Sequence, residues 1–312
     1  MTYLWQLLGA VGKRGVIGVP YVWLLVFFAL PFLILLRISV TDMGGGVDPF
    51  VPLAVLQDGV LTLKLKLANY ASIFWNVQTP GETTIYIEAY ATSLRYAALT
   101  TLFCLVIGYP FAYFIARSSA RIRPALLMMI MLPFWTSFLL RVYAWKGILA
   151  DNGVLNRFFM FLGITNDPIQ MLYTDVSMLV GMTYVYLPFM VLPLYATLVK
   201  MDYRLLEAAY DLGAGPFKAF CLITVPLSKA GIVAGSMLVF IPSLGEFVIP
   251  SLLGGAENLM IGRVVWDEMF SSNNWPRASA LAAIMIVLIL VPLALYYHYS
   301  GERQAQAHEG RA

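Results

Sequence analysis

The chain has 312 residues, of which 60% are hydrophobic and 12% are charged, with a mean hydropathy of +0.78 and a formal net charge of +3. Soluble globular domains average about 45–50% apolar and roughly 25% charged residues, so this composition excludes a water-soluble domain with a single core. It also excludes a disordered chain, which would be far less apolar, and the small net charge does not indicate a nucleic-acid-binding protein. The composition predicts an integral membrane protein.

Uncharged runs of 16 to 24 residues predict where the chain crosses the bilayer, because a spanning helix needs about 20 apolar residues. Six such runs predict an all-α integral membrane fold with six transmembrane helices. Residues 1–90 are expected to hold the first helix and a long outer segment. The other spans are expected near residues 96–116, 124–144, 176–199, 230–250 and 278–299, so that 91–299 form a transmembrane core, 200–229 a cytoplasmic loop and 300–312 a terminal tail.

The positions of Lys and Arg predict the orientation, because basic residues concentrate in cytoplasmic loops. The loop between the second and third spans holds Arg117, Arg121 and Arg123, so both termini are expected in the cytoplasm. In the outer segments, the alternating residues 61–67 predict a half-buried strand or extended edge. Residues 158–163, five apolar side chains followed by a glycine, predict a short interfacial helix that ends at Gly163.

No enzyme signature is present in the sequence. A phosphate-binding GxxxxGK[ST] loop, HExxH, GxSxG and CxxC are all absent, and each of these motifs carries a defined chemistry. The chain is therefore expected not to be catalytic by itself and to bind neither a metal nor a cofactor. If transport through it uses ATP, another chain must bind the nucleotide.

The 200–229 loop has the pattern of a helix, a turn and a second helix. Leucine and alanine are frequent from Leu205 to Leu212 and favour a helix. Gly213 can adopt the left-handed conformation that ends a helix, and Pro216 suits the first turn of the next one. Such a loop presents a small, rigid and partly apolar knob.

The same loop carries a recognisable motif: Glu207-Ala208-Ala209, three residues, Gly213, nine residues, then Ile223-Thr224-Val225-Pro226. It resembles the Glu-Ala-Ala-x3-Gly-x9-Ile-x-Leu-Pro loop of permease subunits in binding-protein-dependent ABC importers, with Val225 in place of the usual Leu. The resemblance implies a type I permease bundle in which residues near 203–222 dock into a cleft of an ATP-binding subunit. The residues it assigns to this coupling are Glu207, Ala208, Ala209, Asp211, Gly213, Ile223 and Pro226.

Further segments are similar to the polyamine branch of that family, and above all to its putrescine permeases. They are residues 132–139, 141–145, 236–242, 245–250 and 260–264. The resemblance implies a bacterial inner-membrane protein that imports putrescine in preference to spermidine. It also implies two ATP-binding subunits that hold ATP and magnesium, a second homologous permease and a periplasmic polyamine-binding protein.

Two alternatives stay open. The same class of permease could carry ferric iron, a phosphonate or an oxyanion. A secondary transporter driven by an ion gradient is a more distant alternative, since such proteins commonly show inverted repeats and charged residues at the membrane midplane, and neither is evident here.

The candidate cargo pathway lies where the two shortest uncharged runs end, at Arg141 and Glu246. Both residues are expected near the outer boundary of the membrane, where ionisable groups are functional candidates. Glu246 is predicted to meet an ammonium group of the cargo, and the alternative is a structural ion pair with Arg141. The aromatic residues Trp135, Tyr143, Tyr184 and Tyr186 are predicted to line the same path through cation–π contacts, with ordinary packing as the alternative. Asp267 is a predicted outer contact to the polyamine or its binding protein.

Overall fold

The computed structural model describes residues 18–45, 48–57, 60–75, 83–255 and 257–309. The helices in chain order are α1 (Gly18–Ser39), α2 (Ala68–Phe74), α3 (Ile85–Arg117), α4 (Arg123–Met131), α5 (Phe138–Leu149), α6 (Val154–Phe161), α7 (Asp175–Leu198), α8 (Arg204–Asp211), α9 (Pro216–Ala219), α10 (Val225–Leu227), α11 (Lys229–Leu244), α12 (Val248–Leu253), α13 (Ile261–Trp266) and α14 (Trp275–Glu309). A 3-10 turn follows α4 at Leu132–Trp135, and π-helical turns lie at Leu25–Ala29, Phe220–Thr224 and Asp267–Ser271. Strands β1 (Ala54–Gln57) and β2 (Val60–Leu63) interrupt the helical pattern.

The chain divides into two compact units, residues 1–84 with 265–312, and residues 85–264. In the first unit, α14 packs against α1 and α2. The Asn69 side-chain amide on α2 donates hydrogen bonds to the carbonyls of Ser39 (3.0 Å) and Thr41 (2.8 Å), and the Tyr70 hydroxyl lies 2.7 Å from Ser39 Oγ. These bonds hold α2 against the end of α1.

The first unit also contains the β-hairpin, so the all-α prediction is wrong in this one element. β1 and β2 pair antiparallel with Ala54 opposite Leu63. The expected strand over 61–67 is shorter than its alternating pattern, because the chain leaves the hairpin after Leu63. The N–H of Lys66 then donates to the carbonyl of Val40 at the end of α1 (2.8 Å), which draws the chain away from β1.

The second unit is built around α3, α7 and α11, which pack on one another. α3 has 33 residues, and a helix of that length spans about 50 Å, more than the bilayer core. Close approach between α7 and α11 depends on glycine, since small residues let two helix backbones come near each other. A Cβ atom added at Gly231 would lie 2.9 Å from the carbonyl oxygen of Pro193, and one at Gly235 would lie 2.8 Å from Sδ of Met190.

The described residues do not contain six uninterrupted spans. Three helices are long and apolar enough to cross a membrane, α1, α3 and α7, and the number rises to five if two bent pairs each count as one span. The pairs are Arg123–Trp135 with Phe138–Phe161, bent by 89°, and Pro216–Leu227 with Lys229–Leu244, bent by 68°. The apolar part of α14, Trp275–Leu290, is shorter than a span.

The 89° bend has a local cause in the sequence. Pro133 lies in the 3-10 turn after α4, and Thr136 (ψ 153°) and Ser137 (ψ 137°) are extended before α5 begins. The Thr136 hydroxyl donates to the carbonyl of Pro133 (2.8 Å), which closes the turn. A uniformly uncharged run can therefore hold two helices, because hydropathy measures how apolar a segment is and not whether its backbone bends.

Candidate functional site

The turn in the 200–229 loop is set by one glycine. Gly213 has φ +82°. Its N–H donates to the carbonyl of Tyr210 (2.9 Å), and the N–H of Ala214 donates to the carbonyl of Ala209 (2.9 Å). These two bonds form a Schellman motif, in which a left-handed residue satisfies the last carbonyls of a helix. With Pro216 in the first turn of α9, the predicted helix, turn and helix are confirmed.

The loop buries one set of side chains and exposes another. Leu206 and Ala219 are buried, whereas Leu212 is 89% exposed and Phe217 80% exposed. The predicted coupling residues are distributed over both sets. Glu207, Ala208, Asp211, Gly213 and Pro226 are exposed, and Ala209 and Ile223 are half-buried. The turn thus presents two large apolar side chains with carboxylates beside them.

The loop is attached to α3 through aromatic rings that the sequence analysis missed. The ring of Phe220 meets the rings of Tyr109 (5.4 Å between centroids) and Tyr113 (6.0 Å) edge to face. The guanidinium of Arg117 lies 5.3 Å from the ring centroid of Tyr203. The only signal in the sequence is the spacing of the α3 residues 109, 113 and 117 by four.

Glu246 caps a helix. Its Oε1 accepts hydrogen bonds from the N–H groups of Phe247 (3.2 Å), Val248 (3.0 Å) and Ile249 (3.4 Å) at the start of α12. Its Oε2 accepts a 2.6 Å hydrogen bond from the Tyr186 hydroxyl of α7. A carboxylate at a helix N-terminus satisfies free N–H groups and interacts favourably with the helix dipole, a role that neither sequence interpretation of Glu246 included.

Arg141 lies on α5 against aromatic faces. Its guanidinium carbon is 5.1 Å from the ring centroid of Phe134 and 5.9 Å from that of Phe138. Its Nε and Nη1 atoms are buried without a hydrogen-bond partner. Among the described residues no ion pair joins Arg141 to Glu246, so the alternative of a structural ion pair is not realised here. Both carboxylate oxygens of Glu246 already have other donors.

A row of rings nevertheless connects the two charges. Phe134 meets Phe189 edge to face (5.3 Å between centroids), and Phe189 lies 6.2 Å from the ring of Tyr186. Tyr186 in turn binds Glu246. The guanidinium of Arg141 and the carboxylate of Glu246 thus lie at opposite ends of three aromatic side chains. Phe189 was not predicted, although it follows Tyr186 by three residues and so shares its helix face.

The other predicted pathway residues belong to several elements of the structure. Tyr184 is two residues from Tyr186, about 200° around the helix, and its ring meets that of Trp145 edge to face (5.5 Å between centroids) at an apolar cavity of about 450 Å³. Trp135 ends the 3-10 turn and is 75% exposed, and Tyr143 on α5 is also exposed. Asp267 opens a π-helical turn in the other unit and is half-buried. Within residues 85–264, a hydrogen bond joins two of the predicted pathway residues, Tyr186 and Glu246.

Throughout the described ranges, no three His, Cys, Asp or Glu side chains come close enough to hold a metal ion. Charged groups of the site instead contact aromatic rings, backbone N–H groups or hydroxyls, as in the contacts of Arg141 and Glu246.

The chain is similar in sequence to known transport proteins. Residues 105–302 match the model of the family described as binding-protein-dependent transport system inner membrane component. The spermidine/putrescine transport system permease protein PotB of Haemophilus influenzae is 36% identical over 285 residues, which cover 91% of this chain and 93% of that protein. PotB of Escherichia coli is 41% identical over 216 residues, 69% of this chain and 78% of that protein.

The fold also has a counterpart among solved structures. The crystal structure of a bacterial ABC transporter involved in the import of the acidic polysaccharide alginate contains a chain that matches with a TM-score of 0.67. The match covers 96% of this chain and 99% of that one at 17% sequence identity. At this identity the likeness establishes a common fold.

Proposed function

The chain belongs to the family of binding-protein-dependent transport system inner membrane components, and from this premise we propose that it is the permease subunit of an ABC importer that carries a polyamine into the cytoplasm, with putrescine favoured over spermidine. The cargo class rests on one observation: spermidine/putrescine permeases are 36% identical to this chain over nine-tenths of its length. The chain itself is a membrane-embedded, multi-pass component and does not hydrolyse ATP.

The chemistry at Glu246 suits such a cargo. The desolvation free energy of an alkyl diammonium is better offset where a carboxylate pairs with each charge and aromatic faces contact its methylenes. Glu246 offers the carboxylate, and Tyr186, Phe189 and Phe134 offer consecutive rings. We propose that Oε2, bonded to one phenol, receives the ammonium when α7 and α12 separate in the transport cycle. At other stages of the transport cycle, we propose contacts with the cargo or the binding protein for Trp135, Tyr143, Tyr184 and Asp267.

We propose that the 200–229 loop couples ATP hydrolysis in the ATP-binding subunits to transport. Leu212 and Phe217 are the exposed apolar side chains that dock into a cleft of an ATP-binding subunit, and the Schellman turn at Gly213 holds them in place. Closure of the ATP-binding subunits moves the loop, and the permease alternates between outward- and inward-facing states. The proposed coupling residues are Glu207, Ala208, Ala209, Asp211, Gly213, Ile223 and Pro226.

The complex that this function requires has several chains. We propose two ATP-binding subunits, which hold ATP and magnesium, a second homologous permease and a periplasmic polyamine-binding protein. The 200–229 loop and both termini then face the cytoplasm, and the β-hairpin and α6 face the periplasm.

Uptake of labelled putrescine and spermidine tests the proposal directly. Cells that lack this gene and redundant polyamine importers are compared with and without complementation. Restored uptake that excess ferric iron, phosphonate or oxyanion does not reduce is the expected result, with a higher rate for putrescine. Uptake unchanged by deletion would contradict a polyamine cargo, and faster spermidine uptake would contradict the preference.

A further inference from the structure

One face of α3 contacts the 200–229 loop at three separate places. Tyr109, Tyr113 and Arg117 follow one another at intervals of four, so they lie on the same side of the last turns of α3. We name these three residues the α3 clamp. Tyr109 is buried, Tyr113 is half-buried and Arg117 is exposed, so the clamp runs from the interior of the unit to its surface.

The middle of the contact is a single phenylalanine. Phe220, the first residue of the π-helical turn after α9, places its edge against Tyr109 and Tyr113 with interplanar angles of 87° and 89°. This is the edge-to-face geometry that aromatic pairs favour. Phe220 is therefore held by two rings from one helix.

The two ends of the loop are fastened to the same face. Where the loop begins, Tyr203 lies under the guanidinium of Arg117, and Nη1 of Arg117 donates to the Tyr113 hydroxyl (2.8 Å). Where the loop ends, Ser228 Oγ lies 2.7 Å from the Tyr109 hydroxyl, and both groups are buried. The clamp thus touches the entrance, the middle and the exit of the loop.

The backbone path from the loop to α11 is less direct than the aromatic contacts between the loop and α3. Between Phe220 and α11 the chain passes through a π-helical turn, the short α10 and the 68° bend at Ser228. α3, in contrast, is one helix that packs along α7 and α11. A Cβ atom at Gly108 of α3 would lie 3.2 Å from Cγ of Met190 on α7, and α7 also carries Tyr186, the partner of Glu246.

We propose that the α3 clamp is the connection through which a displacement of the 200–229 loop reaches the membrane helices, and that Phe220 and Tyr113 are its positioning residues. The inference rests on the proposed coupling function of the loop. The exposed side chains Leu212 and Phe217 receive the motion, the rings of the clamp carry it to α3, and α3 moves α7.

The test compares variants of the whole complex, purified with its ATP-binding subunits and binding protein and reconstituted in lipid. The readout is the ratio of ATP hydrolysis with polyamine-loaded binding protein to hydrolysis without it. Phe220→Leu keeps an apolar side chain and removes the ring, and we expect assembly and basal hydrolysis to persist while this ratio falls roughly five- to tenfold, within the range of known coupling effects. Phe220→Tyr keeps the ring and should retain the ratio.

Two further variants make the test specific. Phe114→Leu is the same chemical change one residue from Tyr113, on a side chain that is 62% exposed, and it should leave the ratio unchanged. Tyr113→Phe keeps both ring contacts and removes only the hydroxyl bonded to Arg117, so it should assemble and lower the ratio less than Phe220→Leu does.

The outcomes separate this inference from the function on which it rests. A wild-type complex that polyamine-loaded binding protein does not stimulate would overturn the proposed function, and the clamp with it. A stimulated wild type with an unchanged ratio in Phe220→Leu, or an equal loss in Phe114→Leu, would overturn the clamp alone. If the Phe220→Leu complex does not assemble, a wild-type ratio in Tyr113→Phe would overturn the proposed role of the clamp.

Discussion

The hydroxyl of Tyr186 donates a 2.6 Å hydrogen bond to Oε2 of Glu246, so a residue in the middle of α7 is tied to the carboxylate that caps α12. The same carboxylate therefore has a structural task and a position suited to a cationic cargo. These two roles can be separated by experiment, because one oxygen serves the cap and the other serves the phenol.

Glu246→Gln removes the charge and keeps an oxygen for the N–H groups of α12. We expect uptake to fall roughly tenfold or more, the effect of about 1.4 kcal/mol on the barrier, because the ammonium loses its counter-charge. The complex should still assemble, with stability lowered by about 1–2 kcal/mol through weaker hydrogen bonds. Labelled-putrescine uptake and co-purification of the subunits measure the two effects.

Tyr186→Phe is the matched control for this variant. It removes the bond to Oε2 and leaves the charge of Glu246 in place, so uptake should stay within about threefold of wild type, less than about 0.7 kcal/mol. Equal losses in the two variants would show that uptake depends on the hydrogen bond between Tyr186 and Glu246 and not on the charge of Glu246.

Gly213→Pro should uncouple ATP hydrolysis from transport. Proline fixes φ near −65° and has no N–H, so the variant can neither adopt φ +82° nor donate to the carbonyl of Tyr210. Gly213→Asn is the control, because asparagine tolerates the left-handed region and a Cβ atom at Gly213 meets open space. The amount of cargo carried per ATP should drop in the first variant and persist in the second, and normal transport by Gly213→Pro would refute the role of the turn.

Phe217→Glu should prevent the ATP-binding subunit from co-purifying. A buried, unpaired carboxylate in an apolar contact costs several kcal/mol, so recovery should fall below about a tenth of wild type, equivalent to more than about 1.4 kcal/mol. Phe161→Glu is the control: Phe161 is 87% exposed on α6, which the proposed topology places on the opposite side of the membrane. Retention of the ATP-binding subunit by Phe217→Glu would place the docking surface elsewhere.

The pair Asp42 and Lys66 should make the hairpin segment sensitive to acid. Nζ of Lys66 donates a 2.6 Å hydrogen bond to Asp42 and holds the pKa of that carboxyl below its ordinary value. A lowered folded-state pKa stabilises the fold above the ordinary pKa near 4, and this contribution disappears as the pH falls through the folded-state pKa. Since both groups are about half exposed, the effect should stay below about 1 kcal/mol.

The measurement is amide hydrogen exchange in residues 60–75 of wild type and Asp42→Asn, compared at matched pH. The two proteins should differ above the ordinary carboxyl pKa near 4 and converge as the pH falls through the lowered folded-state pKa of Asp42. A difference that grows toward low pH would contradict the sign of the linkage.

Local signals in the sequence anticipated local structure well. Residues 176–199 were expected to form a span, and α7 is Asp175–Leu198. Gly213 and Gly163 were expected to end helices, and both have positive φ, +82° and +68°. Such features depend on a few neighbouring residues, whose conformational preferences are strong enough to be recognised without the rest of the chain.

Features that depend on tertiary contacts were not predicted. The carboxylate of Glu246 acquires its partners only because α12 starts beside it and α7 brings Tyr186 within reach. Phe220 meets Tyr109 and Tyr113 across a separation of more than a hundred residues. Residue type and spacing do not specify such meetings, since each depends on how two helices pack.

The break at Thr136 and Ser137 has a consequence for how the chain enters the bilayer during synthesis. The two helical pieces around it, Arg123–Trp135 and the 12-residue α5, each extend roughly 20 Å, too short to cross a hydrocarbon core of about 30 Å. The extended backbone at Thr136 and Ser137 also interrupts the helical hydrogen bonds, on which a spanning segment depends within lipid. We therefore expect that neither piece partitions stably from the translocon on its own, and that this segment stays sheltered until α7 has been made and can cover it.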